Sequence, residues 1–390
     1  MASTHEIIIL GGHYAAIGTA HYLLRHVIPV LVKLNPEIKY NVTLVSPNTE
    51  FFFNIAAPRN LVSETLVPAK AIWLSIAEAF KSYDQLTFSH VIATALSVDP
   101  DKHIVKLSNG EDANYDALVI ATGASYVSQL WQVGESETVT KKALASTRAL
   151  LAKAKTVLIA GGGAVGVEVA GEISTTFPSV KLTLVSGSTR LLPHLTPYNS
   201  GSAESQLKSS GVETIHNVRV ASSKINTDGT TTVVLANGDE KIVDVYLNAT
   251  GAKPNSKFLP AEWLNESGHV IVDNSTLRGP VPGVYAIGDV ASNSNGSLMA
   301  AWYGVPPLGT SIGIDLATAS GRASADAIPF VQKIYKPMKD TQLVPTGPSG
   351  GVGQVAGWWI PSFLVWLIKS RTYLVEKAQG AVDGAEFVKP

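Results

Sequence analysis

Two apolar strand-like runs that each break into a glycine-rich turn, two later Ala-Thr-Gly turns and a buried run ending in Gly-Asp predict an α/β protein. The expected architecture is two Rossmann-like dinucleotide-binding domains, each with three ββα layers, plus a small C-terminal domain. A chain of 390 residues suits this, since domains average roughly 150 residues.

The elements follow in order. Ile7 to Leu10 is a β-branched run of the kind that fills a buried parallel strand. Gly11-Gly12 turns the chain into a helical stretch reaching about Leu34, and Asn41 to Val45 reads as the next strand. Residues 86 to 122 alternate in short strand-like runs around an Asn109-Gly110 turn and end in Ala121-Thr122-Gly123. The unit then repeats. Thr156 to Ala160 is a strand, Gly161-Gly162-Gly163 a turn, a helix runs to about Thr176, and Lys181 to Val185 is a strand. Asn237-Gly238 marks another turn before Val243 to Asn248 and Ala249-Thr250-Gly251. Gly283 to Asp289 is a last buried strand; Ser297 to about Ile328 reads as helix, broken at Pro306-Pro307 and at Gly321.

The second turn carries Gly161-Gly162-Gly163-Ala164-Val165-Gly166, a full Gly-x-Gly-x-x-Gly between strand and helix. The first glycine permits the turn, Gly163 lets a pyrophosphate reach the backbone, and Gly166 lets helix and strand pack closely. The helix start offers unpaired N–H groups to phosphate. The bland alternative is a tight turn with no ligand. The following strand ends Val185-Ser186-Gly187-Ser188-Thr189-Arg190, without the acid that would hold the ribose 2′-hydroxyl of NAD. Ser186 and Arg190 therefore tolerate the 2′-phosphate of NADP, unless Arg190 merely points to solvent.

The first turn, Gly11-Gly12-His13-Tyr14-Ala15-Ala16, is a degraded version. His13 stands where the second glycine belongs and Ala16 where the third does; the strand that follows ends in Ser46, again without an acid.

Composition removes several functions. A net charge of −1 gives no basic field for nucleic acid. With no cysteine, neither a dithiol pair, a thiolate metal site nor a Cys nucleophile can exist, so redox chemistry belongs to a bound group. The nine histidines show no metal-ligand spacing, so no metal is expected. No secretory signal is apparent at the start, and Ala2 stands where myristoylation requires Gly, so a cytoplasmic protein or one peripheral on an organelle membrane is expected.

Taken together, the paired glycine turns, the two Ala-Thr-Gly turns and Tyr285-Ala286-Ile287-Gly288-Asp289 resemble the flavoproteins with two dinucleotide-binding domains. The tail Gly351 to Gly357 with Leu367 to Arg371, and the segment Gly11 to Arg59, are similar to the apoptosis-inducing-factor-like (AMID, or ferroptosis suppressor) family, in a fungal-type form. The resemblance covers nearly the whole chain. It implies FAD bound by residues 1–125 and 273–325, NADH or NADPH bound by 126–272, and a C-terminal domain, 326–390, over the flavin. Hydride would pass to flavin and electrons to a quinone-like acceptor.

By the same resemblance, Asp289 reaches the ribityl or pyrophosphate part of FAD beside Gly288. Ala121, Thr122 and Gly123 pack along FAD with Gly11, Gly12, His13, Tyr14, Ala15 and Ser46. Arg59 lies near the flavin and Glu168 near the nicotinamide, as the candidate catalytic group. Gly161, Gly163, Val165, Gly166, Ser186, Arg190 and Gly251 complete the NAD(P) site. Plainer roles stand beside these: Asp289 as a helix cap, Glu168 as an acid suiting a helix dipole, Arg59 in a surface salt bridge, His13 and His194 structural or solvated. Trp358 to Ile368, with Lys369 and Arg371, reads as a packed element or a homodimer contact. It also suits a peripheral membrane contact over 358–371 or the wall of a pocket for an aromatic acceptor. Two further functions stay open: a flavin oxidoreductase acting on one secondary metabolite, and a nucleotide-binding protein that has lost catalysis.

Overall fold

A computed structural model describes residues 4–134, 136–319 and 328–390. Its first half centres on a five-stranded parallel sheet in the order Val284–Ala286, Ala117–Ile120, Thr4–Leu10, Lys39–Ser46, Phe88–Ile92. Ile7, Ile9, Val119 and Ile120 are fully buried, as strands covered on both faces must be. The second half repeats the plan with four parallel strands, Val212–Ile215, Lys181–Val185, Thr156–Ala160 and Val245–Asn248.

Each half adds a three-stranded antiparallel sheet: Ala95–Asp99, Ile104–Leu107 and Asp112–Asn114 in the first, Val220–Ile225, Thr231–Leu235 and Glu240–Val243 in the second. The turns at Asn109-Gly110 and Asn237-Gly238 close hairpins in these sheets, with Gly110 at φ +88° and Gly238 at φ +93°. In the second half, Val233, Leu235 and Val243 pack against Leu158 and Val185 of the parallel sheet.

The chain crosses between halves at a two-stranded strap, Ala124–Ser125 against Lys253–Pro254. Asn255 fastens it by donating from Nδ2 to the Thr122 carbonyl and accepting from Ser125 Oγ, while Thr122 Oγ1 donates to the Asn255 carbonyl.

The first helix runs from Tyr14 to Leu34 through one π-helical turn, Leu23–Val27. It is apolar enough along its length to cross a membrane, but two thirds of its most apolar window is buried inside the fold (67%), as in a core helix. The later helix, Leu298–Ala319, corrects the sequence reading. It continues through Pro306 and Pro307 instead of breaking there. Thr310 Oγ1 donates to both proline carbonyls and Ser311 Oγ to that of Pro307, while Val305, Leu308 and Ile312 are fully buried. Burial of this face outweighs the roughly 3 kcal/mol penalty of an interior proline. The expected break at Gly321 lies outside the described residues.

After residue 328 the chain forms a small antiparallel sheet, Gln342–Pro345, Gly351–Val355 and Trp358–Trp359, then short helical turns. This tail binds both halves. Gln354 Oε1 accepts from the backbone N–H of Thr196, and Thr346 donates to Gln206, both in the second half. At the other end Arg25 donates to the carbonyls of Asp383 and Gly384, and the Phe387 ring lies so close over Gly18 that a Cβ there would sit 2.6 Å away.

His21 ties this end down. Its Nε2–H donates to the Val382 carbonyl (2.9 Å), Nδ1 accepts from Tyr83, and the ring stacks on Phe80. Burial lowers its pKa from 6.5 to about 4, and His13 and His90 are lowered likewise. The unfolded chain therefore binds protons that the native rings refuse, so stability falls as pH drops from 6.5 towards about 4. The loss is about 1.4 kcal/mol per pH unit for each such ring. Thermal unfolding across this range should show the drop, with the tail's last helix becoming protease-sensitive first; a flat profile would contradict the neutral His21 contact.

Candidate functional site

The two glycine turns are built by the same contacts. Gly11 (φ +130°) lies against the end of Ala117–Ile120, where a Cβ would come within 2.3 Å of the Ala121 carbonyl oxygen. Gly161 (φ +121°) meets the Ala249 carbonyl at 2.5 Å in the same way. Gly12 and Gly162 face Ser46 Oγ and Ser186 Oγ, where a Cβ would meet them at 2.6 and 2.5 Å. Each Ala-Thr-Gly segment is thus the backstop of a nucleotide turn. Only backbone fits between them.

The two cradles differ at the phosphate position. At Gly163 an added Cβ would meet nothing within 4 Å, and the helix behind it, Ala164–Thr176, makes its first helical bond only at Val167. The N–H groups of Ala164, Val165 and Gly166 therefore stand outside the helical ladder, as a pyrophosphate-binding turn requires. Gly166 sits 1.8 Å, as a would-be Cβ, from the Gly161 carbonyl, so only glycine serves there. In the first cradle that position is Ala16, fully buried, and the phosphate position is His13. The His13 ring is drawn onto Phe51 (centroids 5.0 Å apart), with Nε2–H donating to the Phe52 carbonyl at 2.6 Å. It is kept neutral by burial. Tyr14, packed against Phe51 and His13, and Ala15 follow, and a Cβ on Gly288 would lie 3.1 Å from that of Ala15.

Asp289 stands at this junction. Its carboxylate accepts from Ser294 Oγ (3.1 Å), and burial raises its pKa. The same negative charge, after burial, pushes the Tyr126 hydroxyl up. A half-buried acid with so little compensation awaits polar partners. The unpaired first-turn N–H groups, Gly288 at φ +78° and Asp289 fit the phosphate and polyol parts of FAD. The second cradle opens on a cavity of about 580 Å³ that includes Gly161, Ser188, Tyr246 and Gly251, which fits a pyridine nucleotide.

Other sequence-nominated residues have structural partners. Thr122 and Gly123 support the strap. Ser46 Oγ donates to the Asn48 carbonyl and accepts from His90; Ser186 Oγ accepts from the Ser188 N–H. Arg190 donates to the carbonyls of Pro193 and Leu195. Arg59 is in no surface salt bridge. It is buried between the halves, donating twice to Glu172 (2.9 and 2.8 Å) and once to the Arg371 carbonyl, with its guanidinium over the Tyr373 ring. Glu168 is buried in the same layer and accepts from Lys369 Nζ at 2.6 Å. Burial raises its pKa and Lys369 opposes the rise. His194 is exposed. Glu172, Tyr126 and Arg219 lie in no local motif, and Lys369, read in the sequence only as part of the tail, gives no sign there of its pairing with Glu168.

A family described as pyridine nucleotide-disulphide oxidoreductase matches residues 5–307. The chain is 35% identical to oxidoreductase phnG of Penicillium herquei, covering 99% of this chain and 98% of that protein. It is 25% identical to ferroptosis suppressor protein 1 of Xenopus tropicalis, over 96% of this chain and 94% of the relative. A ferredoxin reductase structure from Rhodopseudomonas palustris shares the fold at TM-score 0.64 and 18% identity, covering 85% of this chain and 78% of the other. The fold and paired cradles define a two-domain flavin and nicotinamide oxidoreductase. The chain belongs to the pyridine nucleotide-disulphide oxidoreductase family, with AMID-like relatives and with FAD and NADH or NADPH as its cofactors. Lacking cysteine, it does not share the dithiol chemistry in the family's name.

Gly163→Val offers a clean test of the second cradle. A Cβ added there has nothing within 4 Å. Thermal stability should stay within about 0.5 kcal/mol of the parent, as for surface changes. NAD(P)H affinity should fall at least about tenfold through loss of the backbone–phosphate bonds, while FAD content is kept. Unaltered nucleotide affinity in this variant would remove the pyrophosphate from Gly163.

Proposed function

We propose that this protein oxidises NAD(P)H through FAD and delivers the electrons to a quinone-like or other flat aromatic acceptor. The observation that carries this reading is the duplicated cradle: one chain builds two nucleotide turns on the same glycine–carbonyl contact, with the half-buried acid Asp289 beside the first. When bound, FAD supplies hydride acceptance from the nicotinamide and electron release in one or two steps. The chain's own residues bind and orient. The first-turn N–H groups of both cradles hold phosphates, and Asp289 accepts hydroxyl hydrogen bonds. The Arg59–Glu172 pair keeps the two domains at a fixed separation, which sets the approach of one ring to the other.

Absence of cysteine favours an acceptor reduced directly at the flavin over a disulfide. A second reading is a pathway oxidoreductase acting on one aromatic metabolite. It is favoured by greater identity to the fungal oxidoreductases phnG and ptaL (35% and 30%) than to the ferroptosis suppressor proteins (25% for that of Xenopus tropicalis). Purified protein should be yellow and bleach on anaerobic addition of NADPH or NADH, and a panel of soluble quinones and aromatic metabolites should reoxidise it. A colourless protein that takes up no added FAD would overturn the proposal. Reoxidation by one metabolite and by no quinone would establish the second reading.

The tail patch carries the acceptor's approach in this reading. Trp358 (81% exposed), Phe363 (64%), Leu367 (49%) and Ile368 (44%) are all exposed along the tail, with the Arg371 guanidinium over Trp366. Aromatic and cationic groups of this kind seat at a lipid–water boundary. This part of the proposal makes the protein peripheral on a membrane, where apolar quinones dissolve. Parent protein should co-sediment with anionic vesicles, and Trp358→Ser with Phe363→Ser should reduce that binding several-fold while leaving turnover of a soluble quinone intact. Equal sedimentation of parent and variant would detach the patch from lipid.

A further inference from the structure

The structure assigns to Arg219 the recognition of the nicotinamide cofactor's 2′-phosphate, so that we infer a preference for NADPH over NADH. The inference rests on the oxidoreductase reading above and deepens it by naming which nucleotide is used.

The position where an NAD-selective domain keeps an acid is at the end of Lys181–Val185, and this chain places Ser186-Gly187-Ser188 there. Arg190, the basic residue of that loop, has one terminal nitrogen, Nη2, turned back onto the carbonyls of Pro193 and Leu195. The vacant role falls to a residue from the next connection. The Arg219 side chain lies across Gly187: a Cβ built there would stand 2.7 Å from its Cγ and 3.0 Å from its Nε. Glycine at 187 is therefore what admits the arginine.

Three backbone bonds hold this arrangement. Val218 N–H donates to the Ser186 carbonyl (3.2 Å), Asn217 N–H to that of Ser188 (3.1 Å), and Ala236 N–H to that of Arg219 (2.8 Å). Among the described residues the Arg219 guanidinium has no side-chain hydrogen bond or ion pair. Among the described residues it is the one charged residue lining the cavity of about 580 Å³, which it shares with Ser188, Ser222 and Ser223 and with no carboxylate. A cation with hydroxyls and no acid suits an extra phosphate and offers nothing to a bare ribose diol.

The test uses the holoprotein and two readouts. The first is calorimetric binding of adenosine 2′,5′-bisphosphate against 5′-AMP; the second is the ratio of kcat/KM for NADPH to that for NADH. The parent should bind the bisphosphate about tenfold or more tightly than 5′-AMP and favour NADPH by a similar factor, as one charge-assisted contact gives. Arg219→Ala should abolish both preferences, Arg219→Lys should keep part of them, and Arg190→Ala should keep the bisphosphate preference. Equal binding of the two adenosine ligands by the parent, or a preference that survives Arg219→Ala, would overturn the assignment. Failure of either nicotinamide to reduce the flavin would instead overturn the oxidoreductase reading. The adenosine binding would still judge Arg219.

Discussion

The structure depends on one close approach made twice. A glycine at φ above +120° presses its α-carbon against a carbonyl of the neighbouring strand's Ala-Thr-Gly end, Gly11 on Ala121 and Gly161 on Ala249. No side chain can occupy either gap. The approach turns the chain sharply at the sheet's carboxyl edge and starts the helix there with its N–H groups pointing at the crevice, which is where open α/β sheets take ligands. Asp289, the strap of Asn255 and the cavity walls all sit at the edges these two contacts define.

What the sequence made legible was what is written locally. Strand, glycine turn and helix follow one another within about thirty residues. The Asn-Gly turns state their own φ requirement, and Gly288-Asp289 closes a strand whose burial its composition announces. The failures are nonlocal. Pro306-Pro307 reads as a break because the packed surroundings of Val305 and Leu308, which hold the helix together there, are not in the pattern. Arg59 meets Glu172 across 113 residues and Glu168 meets Lys369 across 201, separations that no motif records. Arg219 reaches across Gly187 from the connection after Val212–Ile215, a nonlocal contact that the loop following Val185 does not record.

The buried layer between the halves explains why the tail belongs to the machine. Arg59, Glu172, Glu168 and Lys369 are ionisable and largely shielded, and the Tyr373 hydroxyl is driven well above its ordinary pKa there, by burial first and then by the two acids. Unpaired, any of these charges would be severely unfavourable; together they compensate one another. Arg59 comes from the first domain, the two glutamates from the helix behind the second cradle, and Lys369 and the Arg371 carbonyl from the tail. Removing the tail would take from Glu168 its only cation partner among the described residues. The network thus makes interdomain geometry conditional on the tail's presence, which a purely apolar interface would not do.

The same tail leaves large apolar side chains in solvent, and the two facts bear on each other. Its inner face is fixed by Lys369 on Glu168, by Gln354 on Thr196 and by the buried Ser370 hydroxyl on the Gly350 carbonyl. A segment anchored this firmly cannot fold its outer tryptophans inward to hide them. Trp358 and Trp359 are therefore held out by the contacts that order the chain around them, and their exposure is imposed by the fold and not by slack in it. Exposed apolar area that is rigidly presented and rimmed by Arg371 is the kind that meets an apolar phase or a flat apolar molecule, since a loose segment would have collapsed onto its own core. Lys369 orders the interdomain layer from the short helix Trp366–Ser370, whose Trp366, Leu367 and Ile368 are partly exposed, so one turn of the tail serves both the buried contact and the exposed apolar face.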